Sequence, residues 1–186
     1  NEEYELKSST FEALPYIFED SVDDKNAYYH LLGLVSAKRE WKYIKRDYMT
    51  PRYPKQNNID KFKVMIPESN GSGTLGEPLG KFEIGYPGDS STTTFIGVGA
   101  FDTLEEAQNC SKYLKSKLVR CLLGILKITQ HNPQATWAYV PMQDFSPSSD
   151  IDWSKTIAEI DLQLYEKYHL SPEERAFIEE KVMPMD

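Results

Sequence analysis

Seven cations fall between Lys38 and Lys55: Lys38, Arg39, Lys42, Lys45, Arg46, Arg52 and Lys55. Tyr43, Tyr48 and Tyr53 are interleaved with them, and the amides Gln56, Asn57 and Asn58 close the run. Ammonium and guanidinium groups neutralise phosphates, phenol rings stack or donate to sugar and phosphate, and carboxamides pair with adenine edges in a major groove. The stretch is therefore a candidate polyanion surface, with its cations as phosphate contacts and Tyr53, Gln56, Asn57 and Asn58 as base readers. The bland alternative is a solvated face that only keeps the chain soluble. A Gly-rich loop further on offers Ser69, Asn70 and Ser72 as base readers of the same rank, and Lys112, Lys115 and Lys117 offer a second set of backbone contacts.

The total charge hides this surface. The 186 residues carry a net charge of −8, yet residues 38–63 hold nine bases against three acids. Acids gather instead at the two ends, in 1–24 and 141–186. Local potential steers a charged partner more than net charge does, so a polyanion is not excluded by the acidic total. An apolar fraction of 40% and a charged fraction of 27% place the chain among globular proteins. No apolar run approaches the roughly 20 residues of a membrane span. The start NEEYEL, with no initiator Met, reads as a cut from a longer protein.

Motifs for catalysis are weak. Gly71-Ser-Gly73-Thr-Leu-Gly76 matches the dinucleotide fingerprint, but Pro78 and Gly80 follow where a helix must open. Phe95-Ile-Gly97-Val-Gly99 looks like the glycine turn of S-adenosylmethionine enzymes, without the acidic partner on the next strand. Asn132-Pro133-Gln134 lacks the aromatic that would stack on a flipped base. Asp60-Lys61-Phe62-Lys63 comes nearest to a metal nuclease motif and reads as a solvated strand entrance. His30, His131 and His169 are scattered, so neither a metal nor a catalytic site is assigned. Cys110 and Cys121, read as lying on one helix, would stand roughly 16 Å apart and cannot pair.

These residues need elements to position them. Tyr28–Val35 and Lys38–Met49 read as a hairpin, and Thr50–Asp60, with two prolines, as an exposed loop. Phe62–Ile66 and Thr92–Phe101 read as strands, the latter with glycines that indicate a bulge or a close backbone approach. Thr103 and Glu106 form a capping box opening one helix, whose stripe runs Ala107, Cys110, Leu114, Leu118, Cys121, Leu122, Ile125. Lys112, Arg120 and Lys127 fall on its opposite face. Thr136–Val140 reads as a strand. Ser154–Tyr168 reads as a helix, and Ser171-Pro172 with Glu174 opens another. The expected architecture is α+β: a twisted, mostly antiparallel sheet packed on one long helix, with a C-terminal helical tail. Its parts would be an acidic lead-in over 1–27, a core domain over 28–145 and an acidic helical tail over 146–186.

The C-terminal stretch WAYVPMQDFSPSSDIDWSKTIAEIDLQLYEKYHLSPEERAFIEEKVMPM resembles the C-terminal region of large restriction-modification proteins with an Eco57I-like adenine-specific methylase domain. KFKVMIPESNGSG, TTTFIGVGAF and EEAQNCSKYLKSKLVRCLLGILKITQ are similar to the preceding part of those proteins, though Ser116-Lys117-Leu118 stands where Thr-Lys-Phe is expected. The resemblance covers most of the chain from about Leu31 onward. It implies a target-recognition domain that reads double-stranded DNA beside an upstream, cytoplasmic catalytic domain of the same polypeptide. That domain would methylate adenine N6 with S-adenosylmethionine, with Mg²⁺ if it also cleaves. No cofactor is then expected in this fragment, and Trp41, Trp137 and Trp153 would be core or interdomain anchors. Two other readings stand beside it. Ile151, Trp153, Ile157, Ile160, Tyr165 and Phe177 on acidic helices would suit a docking or regulatory module. A nuclease would cut with Mg²⁺ and lose cleavage on substituting Asp60 or Glu83.

Overall fold

A computed structural model describes residues 6–49, 58–69, 74–126 and 134–185, with backbone alone at 134 and 135. The chain is mixed α+β and divides into two compact units, Asn1–Glu68 with Glu83–Leu104 and Ser69–Phe82 with Glu105–Asp186.

The first unit holds the strands β1 (Phe18–Glu19), β2 (Tyr28–Val35), β3 (Lys38–Lys45), β4 (Phe62–Pro67), β5 (Glu83–Gly85), β6 (Asp89–Ser91) and β7 (Phe95–Phe101). They form two sheets, ordered β1-β3-β2-β6 and β5-β4-β7, rather than the single sheet expected. All pairings are antiparallel except β2 with β6. The reason for two sheets lies at Thr92–Thr94, inside the segment read as one strand. The Thr92 amide bonds to the Leu32 carbonyl, and the Phe95 amide turns back to the Thr92 carbonyl. The chain thus leaves the first sheet at Ser91 and joins the second at Phe95.

The β2–β3 hairpin pairs Tyr28 with Lys45 through to Val35 with Lys38. Its two-residue turn, Ser36–Ala37, has φ of 47° and 63°, the positive values a type I′ hairpin turn requires. Both faces of the hairpin are covered. Leu31 and Ile44 pack with Phe11 and Phe18 on one face, while Leu32 packs with Met65 and Phe95 on the other. Gly33 is fixed by the first contact, because a Cβ there would lie 2.6 Å from the Phe11 ring. Burial on both faces explains why YYHLLGLV shows no clean alternation. In the second sheet the register shifts between Phe62 and Val64 opposite β7, and Gly99 takes a φ of +83° there. This is the bulge the two glycines indicated.

The second unit is built from α2 (Leu104–Lys115), α3 (Lys117–Leu126), α4 (Gln134–Trp137), α5 (Ile157–Lys167) and α6 (Pro172–Lys181), and α1 (Thr10–Ala13) belongs to the first. The single long helix expected is two, broken at Ser116. The Lys115 carbonyl accepts the Arg120 Nε at 3.0 Å. The Ser116 hydroxyl accepts the Val119 amide, and the Asp161 carboxylate accepts the amides of Lys117 and Leu118. Past the break the expected stripe stays buried at Leu118 and Cys121 and widens to Val119, Arg120 and Leu123, whereas Ile125 is 63% exposed. Thr136–Val140 is no strand but the end of α4 followed by a turn, closed by the Val140 amide on the Trp137 carbonyl.

Both C-terminal helices carry capping boxes. Ser171 and Glu174 open α6 as the sequence indicated. In α5 the box is Thr156 with Glu159, so the helix begins later than Ser154. Cys110 and Cys121 are buried free thiols. Trp153 is a core anchor, its indole donating to the Asp144 carbonyl and the Ser149 hydroxyl.

Candidate nucleic-acid interface

The hairpin register decides where the cations of β3 go. Antiparallel partners share a face, so Arg39, Trp41, Tyr43 and Lys45 lie on one side with Leu34, Leu32, His30 and Tyr28. Lys38 and Lys45 are exposed at the two ends of the strand. Arg39 bonds Glu83 at 3.5 Å and lies over the Phe95 ring. On the other face Lys42 donates to Asp20 at 2.6 Å, and that hydrogen bond holds its pKa above the ordinary value. Arg46 donates to the Tyr28 carbonyl, with its guanidinium 4.6 Å from the Tyr29 ring centroid.

Of the proposed base readers, Tyr53, Gln56, Asn57, Asn70 and Ser72 lie outside the described residues, as do Arg52 and Lys55. The Asn58 side chain donates to the Gly99 carbonyl at 2.8 Å and so ties the bulge. Ser69 is exposed.

The helix cations differ from the expectation most. Lys112 donates to the carbonyls of Trp153 and Lys155, and Lys117 pairs with Glu179. Lys115 is half-buried. Arg120, read as a surface cation, is 2% exposed and donates to the carbonyls of Lys115, Gly76 and Met183. Those three carbonyls hold it inward. These residues act as ties between α2, α3 and the segments packed on them.

His30, Asp89 and Lys63, to which the sequence reading gave no site role, form a polar group in the first unit. His30 Nδ1 lies 3.1 Å from Asp89 Oδ1, and its ring stacks on both Trp41 and Tyr43, at 4.4 and 4.5 Å. The other Asp89 oxygen accepts the Tyr86 amide. Beneath them Lys63, far from being a solvated strand entrance, is 2% exposed. Its ammonium donates to the carbonyls of Ile59, Tyr86 and Asp89, and burial pulls its pKa down to about 8. A usable signal existed: centring the hairpin on Ser36–Ala37 puts His30 opposite Tyr43. Nothing local marked Lys63 or Asp89, which meet only through tertiary structure.

Among the described residues no group of three or more His, Cys, Asp or Glu side chains is placed to hold a metal ion, and no helix is long and apolar enough to cross a membrane. Compared with protein-family models, curated proteins and solved structures, the chain matches none of them.

Proposed function

We propose that this chain is a DNA-binding module of the target-recognition kind, with the end of the β2–β3 hairpin and the segment that follows it as its contact surface. One observation carries the reading. Lys45 is exposed and Arg46 anchored at the hairpin end, beside half-exposed rings, where the chain enters the cationic run that contains Arg52 and Lys55. Arg39 and Lys42 are each paired with a carboxylate, whereas Arg46 bonds a carbonyl, so the working cations are Lys38, Lys45 and Arg46 with those of the following run. In this reading an upstream domain of the same cytoplasmic polypeptide methylates adenine N6 with S-adenosylmethionine, with Mg²⁺ if it also cleaves. The acidic C-terminal helices then pack on the domain or on that enzyme.

A second reading, a docking module for a larger enzyme's catalytic part, draws on the internal pairing of Lys112, Lys117 and Arg120 and on the exposure of Tyr139 and Met142. Anisotropy with a fluorescent mixed-sequence duplex separates the two. The DNA reading expects affinity that falls steeply as salt rises, with Lys45→Ala and Arg46→Ala each lowering the log–log salt slope by about 0.9. No binding at low salt rejects it in favour of docking.

A further inference from the structure

Most ring pairs among the described residues meet at a steep angle, with Phe145 tilted 51° to Tyr113 and 49° to Trp153. Phe11 with Phe18, Phe62 with Tyr86 and Tyr113 with Trp153 meet at 63°, 66° and 77°, the edge-on geometry of core packing. His30 departs from this, lying within 23° of parallel to both Trp41 and Tyr43. The stack is also held in place. Asp89 fixes the imidazole, the Tyr86 amide fixes Asp89, and Lys63 binds the Asp89 carbonyl from below. All three rings are half-buried, and the His30 side chain keeps 31% of its surface exposed.

Among the described residues Tyr43 stacks on His30 alone, so the row ends at Tyr43. The next cross-strand pair on that face is Tyr28 with Lys45. Two residues along a strand advance about 6.6 Å, so the backbone of Lys45 stands that far beyond that of Tyr43, room for one flat ring between the two side chains. Arg46 follows in the chain but turns to the opposite face, its guanidinium over the Tyr29 ring. A flat ring continuing the stack there would find a cation placed for an attached phosphate.

We propose that the Trp41–His30–Tyr43 row is a stacking platform for an unpaired nucleobase, whose phosphate is taken by Lys45. The inference rests on the nucleic-acid reading above and sharpens it. Bases within a duplex are already stacked on both sides, so the ligand is single-stranded or carries an extruded nucleotide. Asp89 is turned to His30 and the Tyr86 amide, away from the far end of the row, whereas Glu19, exposed and paired across the strands with Tyr43, is the carboxylate an incoming phosphate has to pass.

The test uses the full chain with three fluorescein-labelled probes at one salt concentration: an oligothymidine of about 12 nucleotides, its uridine RNA counterpart, and a blunt duplex of the same length. Single strands are expected to bind more tightly than the duplex. Tyr43→Leu should weaken single-strand binding at least about five-fold and leave duplex binding in place, while Tyr43→Phe, which keeps the ring, retains both. The ratio of DNA to RNA affinity then names the source of the base. A duplex bound as tightly as the single strands, indifference to Tyr43→Leu, or an equal loss on the duplex would overturn the platform and leave the DNA reading standing. Binding to none of the probes would overturn both.

Discussion

At the scale of single residues, Lys63 shows how a charge can be buried without an ion pair. Its ammonium has three carbonyl acceptors, yet leaving water still favours the neutral form, and the pKa falls from 10.5 to about 8. The sign follows from proton binding. Between those values the unfolded chain holds more protons than the folded one, so this group makes stability rise with pH across that window, and below it the penalty is constant. Lys63→Met removes the titration. Urea unfolding at about pH 7.5 and about pH 9.5 should show wild type gaining stability relative to the variant at the higher value. A difference unchanged by pH would mean that burial does not penalise the ammonium. At the lower pH the variant should still lose about 1–3 kcal/mol, because carbonyls that Lys63 satisfied are left buried.

At the scale of elements, two local devices govern the hairpin and the broken helix. Ser36 and Ala37 occupy left-handed backbone that side chains with a Cβ adopt at a cost. Replacing them with Asn-Gly, the pair suited to such a turn, should stabilise the protein by about 1 kcal/mol, read as a shift in urea midpoint with an unchanged slope. A loss would mean that the turn is not of the I′ kind. In the helix the Asp161 carboxylate satisfies two amides at the start of α3. Asp161→Ala should therefore destabilise by about 1–2 kcal/mol, and a neutral result in thermal melts would reassign the break to Ser116 alone.

These elements also show what the sequence made legible. Capping chemistry is local, so Ser171-Pro172 with Glu174 announced α6 correctly, and the hairpin strands were visible from aromatic and aliphatic content in the first and mixed alternation in the second. The break at Ser116 was not. Its cause, Asp161, is remote in sequence, and the apolar spacing runs through the break with barely a change. Thr136–Val140 misled for the opposite reason: a β-rich composition lost to turn hydrogen bonds that close within a few residues.

At the scale of the whole molecule, charge placement matters more than charge count. The cations of 38–63 and the helix lysine Lys117 were visible as charge, but which of them pair within the fold was not, since Lys42, Arg39 and Lys117 meet Asp20, Glu83 and Glu179 only on folding. Two mutations make the difference measurable. Lys117→Ala, whose ammonium is already paired with Glu179, should leave the salt slope of DNA binding unchanged, whereas Lys45→Ala should lower it. Equal effects from both would return the helix lysines to the contact surface.

The chain order of the two units has a practical consequence. Residues 69–82 sit between β4 and β5 in sequence but belong to the C-terminal unit. There the Gly76 carbonyl accepts both the Met183 amide and the Arg120 guanidinium, and Leu75 fills the space beside Gly124. Scission of the backbone between Leu104 and Glu105 should therefore not release the C-terminal piece. The nicked halves should co-elute through gel filtration, held by a strap that one fragment contributes to the other. Expressed alone, 105–186 should fail to fold until a synthetic peptide spanning 69–82 is supplied, which makes the protein a natural candidate for fragment complementation.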